Sequence, residues 1–269
     1  MRRNRLLIAL VIAIISVLGY FGSSVFNPIT QEKQHVAGIT PEQEVALGLQ
    51  AAPEMAQQFG GLDPSPEMQA AVDSIGKVVV AGSDAGKSPY RFDFHALDDP
   101  ETINAFALPG GQIFVTEGLL RRLKTDGQLA GVLAHEVGHV VARHGAEHIA
   151  KQQLTEGLTG AAVLATYDPN DPSSRNSAAV AAMVGQLVNM RFGRQDELEA
   201  DKLGVRFSSE ARYDPRSMID LMKILDESVQ GNRPPEFFST HPNPENRIQR
   251  IREAIQERYP NGVPEGLIR

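Results

Sequence analysis

Two histidines that stand four residues apart are the residues of this chain whose types and spacing point most directly to chemistry. They are His135 and His139 in the segment HEVGH, and Glu136 stands beside the first of them. On a helix, residues four apart share a face, so both imidazoles can point at one metal ion. Zinc accepts such nitrogen ligands, and a third protein ligand plus an open water position would make the site catalytic. Glu136 would then be able to reach a metal-bound water.

A second motif supplies carboxylates that can complete such a site. Glu197 and Asp201 stand four apart in the segment ELEAD, and so share one face of a predicted helix. One of them can bind zinc while the other, one turn away, accepts the N–H of a ligating histidine and fixes its tautomer. An ordinary acidic, solvated face is the alternative interpretation. The leucines and valine near the pair indicate instead a helix that is partly buried.

The elements that must position these residues are mostly helical. Helices are predicted at 41–58, 65–80, 117–124, 126–144, 146–166, 176–191, 194–209, 215–227 and 244–258, and long loops at 167–176 and 230–244. The segments YRFDFHAL and INAFALPGGQIFVTEG predict three short strands, with a tight Pro-Gly-Gly turn between the last two. We therefore predict an α+β, mostly helical fold with a small sheet beside the histidine helix.

The first 26 residues predict export or attachment to a membrane. Three arginines precede an uncharged apolar run from Leu6 to Phe21, as in a signal sequence or a membrane anchor. Because such arginines stay in the cytoplasm, we expect the body of the protein on the outer side of the inner membrane, or secreted if the segment is cleaved. Residues 27–40 are polar, contain Pro28 and Gly38, and are predicted to be a tether. The main domain would then cover 41–269.

Composition and charge exclude several classes of protein. The 269 residues include no cysteine, so disulfides, thiolate metal sites and a catalytic cysteine are ruled out. The net charge is −7 although the first 26 residues are basic, so the rest of the chain is acidic and nucleic acid is not expected as a partner. The segment AGSDAGKS resembles a phosphate loop, but Gly82 and Gly86 are one residue too close for that motif, and no nucleotide is expected.

Four motifs, in order along the chain, resemble those of one peptidase family. The chain contains N-A-F-A-L-P-G-G, H-E-V-G-H, E-L-E-A-D and T-H-P-x-P-x-x-R, spread over a resemblance that covers roughly residues 41–258. This set is similar to the family of HtpX, BepA and the CAAX prenyl endopeptidases, which are zinc metallopeptidases of the gluzincin type. The resemblance implies a zincin-like peptidase domain, one zinc ion per chain and a polypeptide substrate. It also implies that the substrates are misfolded or misassembled envelope proteins.

The resemblance assigns roles to the residues of the two helical motifs. His135, His139 and Glu197 would bind the zinc ion. Glu136 would be the general base, and Asp201 would orient a histidine. These assignments are expectations that come from the family and from the matching positions of this chain.

The two outer motifs are assigned roles in the same way. The resemblance places His241 and Arg247 over the zinc, where they would stabilise the oxyanion. In some exported members of the family, the histidine instead binds the metal and keeps the enzyme latent. The first motif would be an edge strand that offers free backbone groups to an extended peptide. Its residues are Asn104, Ala105, Phe106 and Ala107.

These observations favour a zinc-dependent endopeptidase of the cell envelope, attached to the membrane through its N-terminal segment. The alternative is a chaperone-like binding module, latent or non-catalytic, that holds a structural metal. A structural zinc site normally has four protein ligands, whereas a catalytic site keeps one position open. The presence of Glu136 within the histidine motif favours the catalytic interpretation.

Overall fold

The computed structural model describes residues 2–166, 193–228, 235–241 and 246–269. The predicted helix at 176–191 and the predicted loop at 167–176 lie outside these residues, as does part of the predicted loop at 230–244. The chain divides into two compact units, each built from two stretches of sequence. One unit comprises 1–39 and 143–193, and the other comprises 40–142 and 194–269.

The described residues are mostly helical, as predicted. The helices are α1 (Arg2–Gly22), α2 (Pro41–Gln58), α3 (Pro66–Ala81), α4 (Glu117–Leu120), α5 (Asp126–Val141), α6 (His144–Thr166), α7 (193–210), α8 (Ser217–Glu227), α9 (Phe237–Thr240) and α10 (Arg247–Arg258). The strands are β1 (Ser24–Asn27), β2 (Glu32–His35), β3 (Asp93–Leu97), β4 (Ala105–Ala107) and β5 (Gln112–Thr116). The predicted α+β class with a small sheet is confirmed.

The first unit contains α1, α6 and an antiparallel hairpin of β1 and β2. Helices α1 and α6 pack so closely that a Cβ on Gly157 would overlap the Ser16 hydroxyl. The hairpin is held by a hydrogen bond of 2.7 Å from the His35 N–H to Glu147 Oε1 and by stacking of the His35 ring on Tyr20. Part of the segment predicted as a polar tether therefore forms a strand that contacts α6.

The N-terminal segment that the sequence predicts as a membrane anchor forms helix α1. Among the described residues, however, no helix combines the length and the apolar character needed to cross a bilayer. The predicted transmembrane helix is therefore not supported.

The second unit contains a three-stranded sheet in the order β3-β5-β4, with β4 at an edge. Strand β5 is parallel to β3 and antiparallel to β4. Asn104 O accepts from Thr116 N, and Leu108 N donates to Gln112 O, so these residues bond inward to β5. Residues that bond to the partner strand alternate with residues that do not along an antiparallel strand. The backbone N–H and C=O groups of Ala105 and Ala107 therefore point away from β5.

The turn between β4 and β5 has the tight form that its sequence predicts. Gly110 and Gly111 have φ angles of 85° and 111°, which glycine adopts without the strain that a Cβ would cause. On the next layer, helix α2 contributes Ala56 to an apolar cluster with residues of the sheet. This cluster holds β4 from one side, and its members from the strands are Leu97, Phe106 and Phe114.

Helices α5 and α7 meet almost backbone to backbone. Helix α5 is buried over nearly its whole length, and Thr125 caps its start by accepting from Gln128 N. A Cβ on Gly138 would lie 3.1 Å from the carbonyl oxygen of Ala200 on α7, and one on Gly204 would lie 3.3 Å from His135 Cα. Two glycines, one on each helix, therefore permit an approach that brings the acidic face of α7 next to the histidines of α5.

Candidate metal centre

Four side chains converge between α5, α7 and the end of α9. They are His135, His139, Glu197 and His241, and one ligand atom of each lies within 4.8 Å of the others. The Nε2 atoms of His135 and His139 are 3.1 Å apart. Glu197 Oε2 lies 3.4 Å from His135 Nε2, and Oε1 lies 3.3 Å from His139 Nε2. The structure thus brings together the three predicted ligands and His241, which the family resemblance gives as a ligand in latent members.

The donors of this cluster fit a divalent metal ion. Imidazole nitrogens and a carboxylate are ligands that zinc commonly uses in proteins. The neighbouring Glu136 is fully buried, and neither of its oxygens has a hydrogen-bond partner among the described residues. A buried carboxylate without a partner is strongly unfavourable unless a cation or a polar ligand compensates it. The site therefore has both the ligands that a cation needs and a buried carboxylate that has no hydrogen-bond partner among the described residues and lies 3.5 Å from His241 Nε2.

Asp201 lies behind the ligands. Its Oδ1 is 3.0 Å from Nδ1 of His135, on the ring edge opposite to the cluster. The other ring nitrogen of His135 faces Glu197, so the two carboxylates one turn apart on α7 contact the two sides of one imidazole. This is the geometry in which an outer carboxylate fixes the tautomer of a ligating histidine.

Burial and charge shift the pKa values of the site in different directions. Burial alone would lower the pKa of His135, but Asp201 and Glu197 outweigh it and raise the pKa to about 9. Burial raises the pKa of Glu136 above the ordinary glutamate value, against the opposing effect of the nearby histidines. Burial also acts to raise the pKa of Glu197, but the histidines around it hold that pKa well below the ordinary value. Of the two glutamates, Glu136 is therefore the one suited to accept a proton near neutral pH.

His241 connects the cluster to the edge strand. Its Nε2 lies 3.1 Å from Ala105 O, and its Nδ1 lies 3.0 Å from Glu197 Oε1. A carbonyl oxygen can only accept, so the contact with Ala105 places a proton on Nε2. Nδ1 faces Glu197, so this is the edge of the ring that His241 presents to the cluster.

Phe237, which no sequence motif indicates, packs against His241. Its ring stacks on the His241 ring with centroids 4.5 Å apart, and its N–H donates to Ile103 O at 3.0 Å. Only 2% of Phe237 is exposed. The available signal was the aromatic pair in the otherwise polar segment PPEFFST, immediately before the T-H-P motif.

The predicted substrate strand lies beside the cluster, but its four residues do not all face it. Ala105 contributes the carbonyl that contacts His241. Phe106 points the other way, and its ring stacks on Phe114 in the core at 5.1 Å. The backbone of Asn104 bonds inward to β5. The carbonyl of Ala105 is thus the part of this motif that contacts the cluster.

A helix that carries two histidines four apart, a carboxylate from a second helix and a small sheet with its edge beside them together define a zincin-like α+β peptidase domain. Residues 66–255 match the profile of peptidase family M48, and the chain belongs to that family. The family resemblance that the four sequence motifs indicate is thereby confirmed.

Curated relatives include proteases of bacteria and of mitochondria. The chain is 34% identical over 200 residues to the beta-barrel assembly-enhancing protease of Escherichia coli strain K12, which covers 70% of this chain and 39% of that protein. It is 36% identical over 195 residues to the mitochondrial metalloendopeptidase OMA1 of Schizosaccharomyces pombe, which covers 69% of this chain and 52% of that protein. The chain thus spans about half, or less, of the length of these relatives.

Proposed function

We propose that this protein is a zinc-dependent endopeptidase that cleaves misfolded or misassembled proteins of the cell envelope. One observation carries the proposal: the fully buried carboxylate of Glu136 has no hydrogen-bond partner among the described residues, and it lies beside a cluster of two helical histidines, Glu197 and His241, whose Nε2 is 3.5 Å from Glu136 Oε1. Such a carboxylate serves no structural purpose that its contacts reveal, but it is what a hydrolase needs beside a metal. The names of the relatives, proteases and metalloendopeptidases, support the same class.

In this proposal, His135, His139 and Glu197 hold the zinc ion. A zinc ion held by these residues would supply Lewis-acid chemistry, polarising a scissile carbonyl and lowering the pKa of a water molecule. Glu136 accepts a proton from the attacking water and later delivers it to the leaving amine nitrogen. Asp201 keeps the His135 ring in the orientation that ligation needs. The peptide lies along β4, antiparallel to it, and bonds to its outward backbone groups.

The contacts of residues 235–241, called here the closing segment, support a latent resting state. The closing segment donates to Ile103 O through Phe237 N and to Ala105 O through His241 Nε2. These carbonyls belong to the edge that a peptide would use. His241 is only 5% exposed and also stands among the metal ligands. A substrate must therefore displace the closing segment before it can reach Glu136.

We expect His241→Ala to raise the cleavage of unfolded casein severalfold, because the variant loses both the fourth ligand and the contact with Ala105. The matched control is His148→Ala, which removes an exposed histidine outside the cluster and should leave the rate unchanged. Initial rates at saturating zinc are the measurement. A rate that falls by about 10²-fold or more would instead assign His241 to oxyanion stabilisation, and an unchanged rate would remove both roles.

The proposal that the protein is a peptidase is tested by zinc content and cleavage measured together. We expect the full chain to bind one zinc ion and to cleave unfolded casein, and a chelator to stop cleavage until zinc is restored. The control is the same assay with a serine-protease inhibitor, which should have no effect. A chain that binds no zinc contradicts the metal centre. One that binds zinc without cleaving, even as His241→Ala, contradicts the enzymatic proposal.

A non-catalytic binding module with a structural metal is the second candidate. The observation that favours it is His241, because four protein ligands are typical of a closed structural zinc site. Such a module would bind unfolded protein and would not depend on Glu136. The two candidates therefore differ in what the loss of the Glu136 carboxylate does.

The site of action follows from the N-terminal segment. Its arginines and apolar run support a location outside the cytoplasm, in the bacterial envelope, with the segment either retained or cleaved. Relatives that are named for the assembly of beta-barrels support envelope proteins as the substrate class. The scheme of an N-terminal targeting segment (1–26), a tether (27–40) and a peptidase domain (41–269) stays a prediction.

A further inference from the structure

Arg247 lies behind the candidate metal centre and contacts both carboxylates of α7. It is the first residue of α10, and only 3% of it is exposed. Its Nε is 2.7 Å from Asp201 Oδ2 and its Nη2 is 2.9 Å from Asp201 Oδ1, so the planar guanidinium donates two parallel hydrogen bonds to one carboxylate. The same Nη2 is 3.2 Å from Glu197 Oε2. Arg247 therefore contacts both Glu197, a proposed ligand of the metal, and Asp201, the residue that orients the ligand His135.

The charges of the site explain why a cation is needed there. Glu136, Glu197 and Asp201 are exposed by 0%, 2% and 2%, and buried negative charges are strongly unfavourable unless they are compensated. Histidines must be neutral to bind a metal ion, so they supply no positive charge when the metal is bound. Among the described residues, Arg247 is the only arginine or lysine that pairs with Glu197 or Asp201. The two charges of a zinc ion and the one of Arg247 balance the three carboxylates.

We infer that Arg247 is a positioning residue, which compensates and orients Asp201 and Glu197, and that it does not stabilise the oxyanion. This inference rests on the proposed metal centre. Arg247 contacts Asp201, and Asp201 Oδ1 lies 3.0 Å from His135 Nδ1, so the guanidinium is linked to the imidazole through the carboxylate. Nη2 of Arg247 also lies 3.5 Å from Nε2 of His135, which is a second and direct contact with the same ring. On another side, the guanidinium carbon lies 5.8 Å from the centroid of the Phe237 ring.

One atom of Arg247 remains available for the competing role, which is to stabilise the oxyanion. Nη1 is buried and has no hydrogen-bond partner among the described residues, so it is the atom that an oxyanion would use. The two roles differ in a quantity that can be measured without substrate. A positioning residue changes how tightly the protein binds zinc, whereas an oxyanion donor changes turnover and leaves zinc binding as it was.

The test compares Arg247→Met, which removes the charge, with Arg247→Lys, which keeps the charge but cannot donate two parallel hydrogen bonds. Zinc affinity of the full chain is measured by competition with a chromophoric chelator. We expect Arg247→Met to weaken zinc binding about 10- to 100-fold, as the loss of an outer-shell partner does, and Arg247→Lys to weaken it less. Arg250→Met, an exposed arginine one turn nearer the end of the same helix, is the control and should bind zinc as the wild type does.

A second measurement separates the two roles in the assembled site. At saturating zinc, we expect the kcat of Arg247→Lys to return to within about tenfold of the wild type, because the ligands are then reassembled by the ion. Unchanged zinc affinity with kcat lower by about 10²- to 10³-fold would overturn the inference in favour of an oxyanion role.

A double variant keeps the inference testable even if Arg247→Met folds poorly. In an Asp201→Asn background, Arg247→Lys should weaken zinc binding less than it does alone, because part of its effect passes through the Asp201 carboxylate. Equal effects in both backgrounds contradict the inference. A wild-type protein that binds no zinc contradicts the metal centre itself, so the two failures are distinguishable.

Discussion

Replacing Glu136 by glutamine is expected to abolish peptide cleavage while zinc content stays near that of the wild type. The substitution keeps the size of the side chain but removes the carboxylate that accepts the proton, and general-base catalysis typically contributes about 10²- to 10⁴-fold. Because both oxygens of Glu136 lack hydrogen-bond partners among the described residues, the amide breaks no hydrogen bond and alters only the 3.5 Å contact between Oε1 and His241 Nε2. Cleavage of casein and zinc per chain, measured on the same preparation, check the prediction.

The matched control for this experiment is Asp126→Asn. Asp126 is the exposed first residue of the same helix and takes no part in the cluster. The control should retain both zinc and cleavage. If Glu136→Gln cleaves at the wild-type rate, the proposed mechanism is wrong. If neither the wild type nor Glu136→Gln cleaves casein, and both bind unfolded protein equally tightly, the non-catalytic binding module becomes the better interpretation.

Replacing Glu197 by glutamine is expected to remove most of the bound zinc. A neutral amide is a weaker zinc ligand than a carboxylate, and Arg247 loses one of its two anionic partners. Breaking a buried ion pair by removing one partner typically costs about 3–5 kcal/mol, so the metal-free variant should also unfold at a lower temperature. Zinc affinity from chelator competition and the thermal midpoint of the metal-free protein are the two measurements.

Glu199→Gln is the control, because Glu199 lies on the same helix, two residues away, and does not belong to the four-residue cluster. It is expected to bind zinc with the affinity of the wild type. Wild-type zinc affinity in Glu197→Gln would show that another residue is the third ligand. His241 is the candidate for that position, since its Nδ1 already faces the cluster. Comparing the zinc affinities of Glu197→Gln and His241→Ala thus shows which of the two residues contributes more to zinc binding.

Much of the fold and of the site could be predicted from local patterns. His135 and His139, and Glu197 and Asp201, stand four residues apart, and the helical period alone places each pair on one face. Thr40 accepts from Gln43 N at the start of α2, as the Thr-Pro pattern indicates. These features were predictable because the interactions that produce them act within one or two turns of the chain.

The features that could not be predicted depend on contacts between distant parts of the sequence. Strand β2 has the polar sequence EKQH, and it bonds to Glu147 more than a hundred residues later. No local sequence pattern predicts that Phe237 is buried or that its N–H bonds to Ile103 O. The direction of the Arg247 guanidinium likewise depends on its contact with Asp201 of α7. The sequence motif that contains Arg247 therefore does not show whether the guanidinium points toward Asp201 or toward a bound substrate.

The contacts between the closing segment and the edge of strand β4 have a consequence for solubility. An exposed sheet edge is a template on which another chain can add a strand, and proteins protect such edges to avoid aggregation. Here Phe237 N and His241 Nε2 occupy outward carbonyls at this edge. An edge that must accept unfolded polypeptide would also accept a second copy of its own chain. In the proposed latent state, the same few contacts would also protect this edge from pairing with a second copy of the chain.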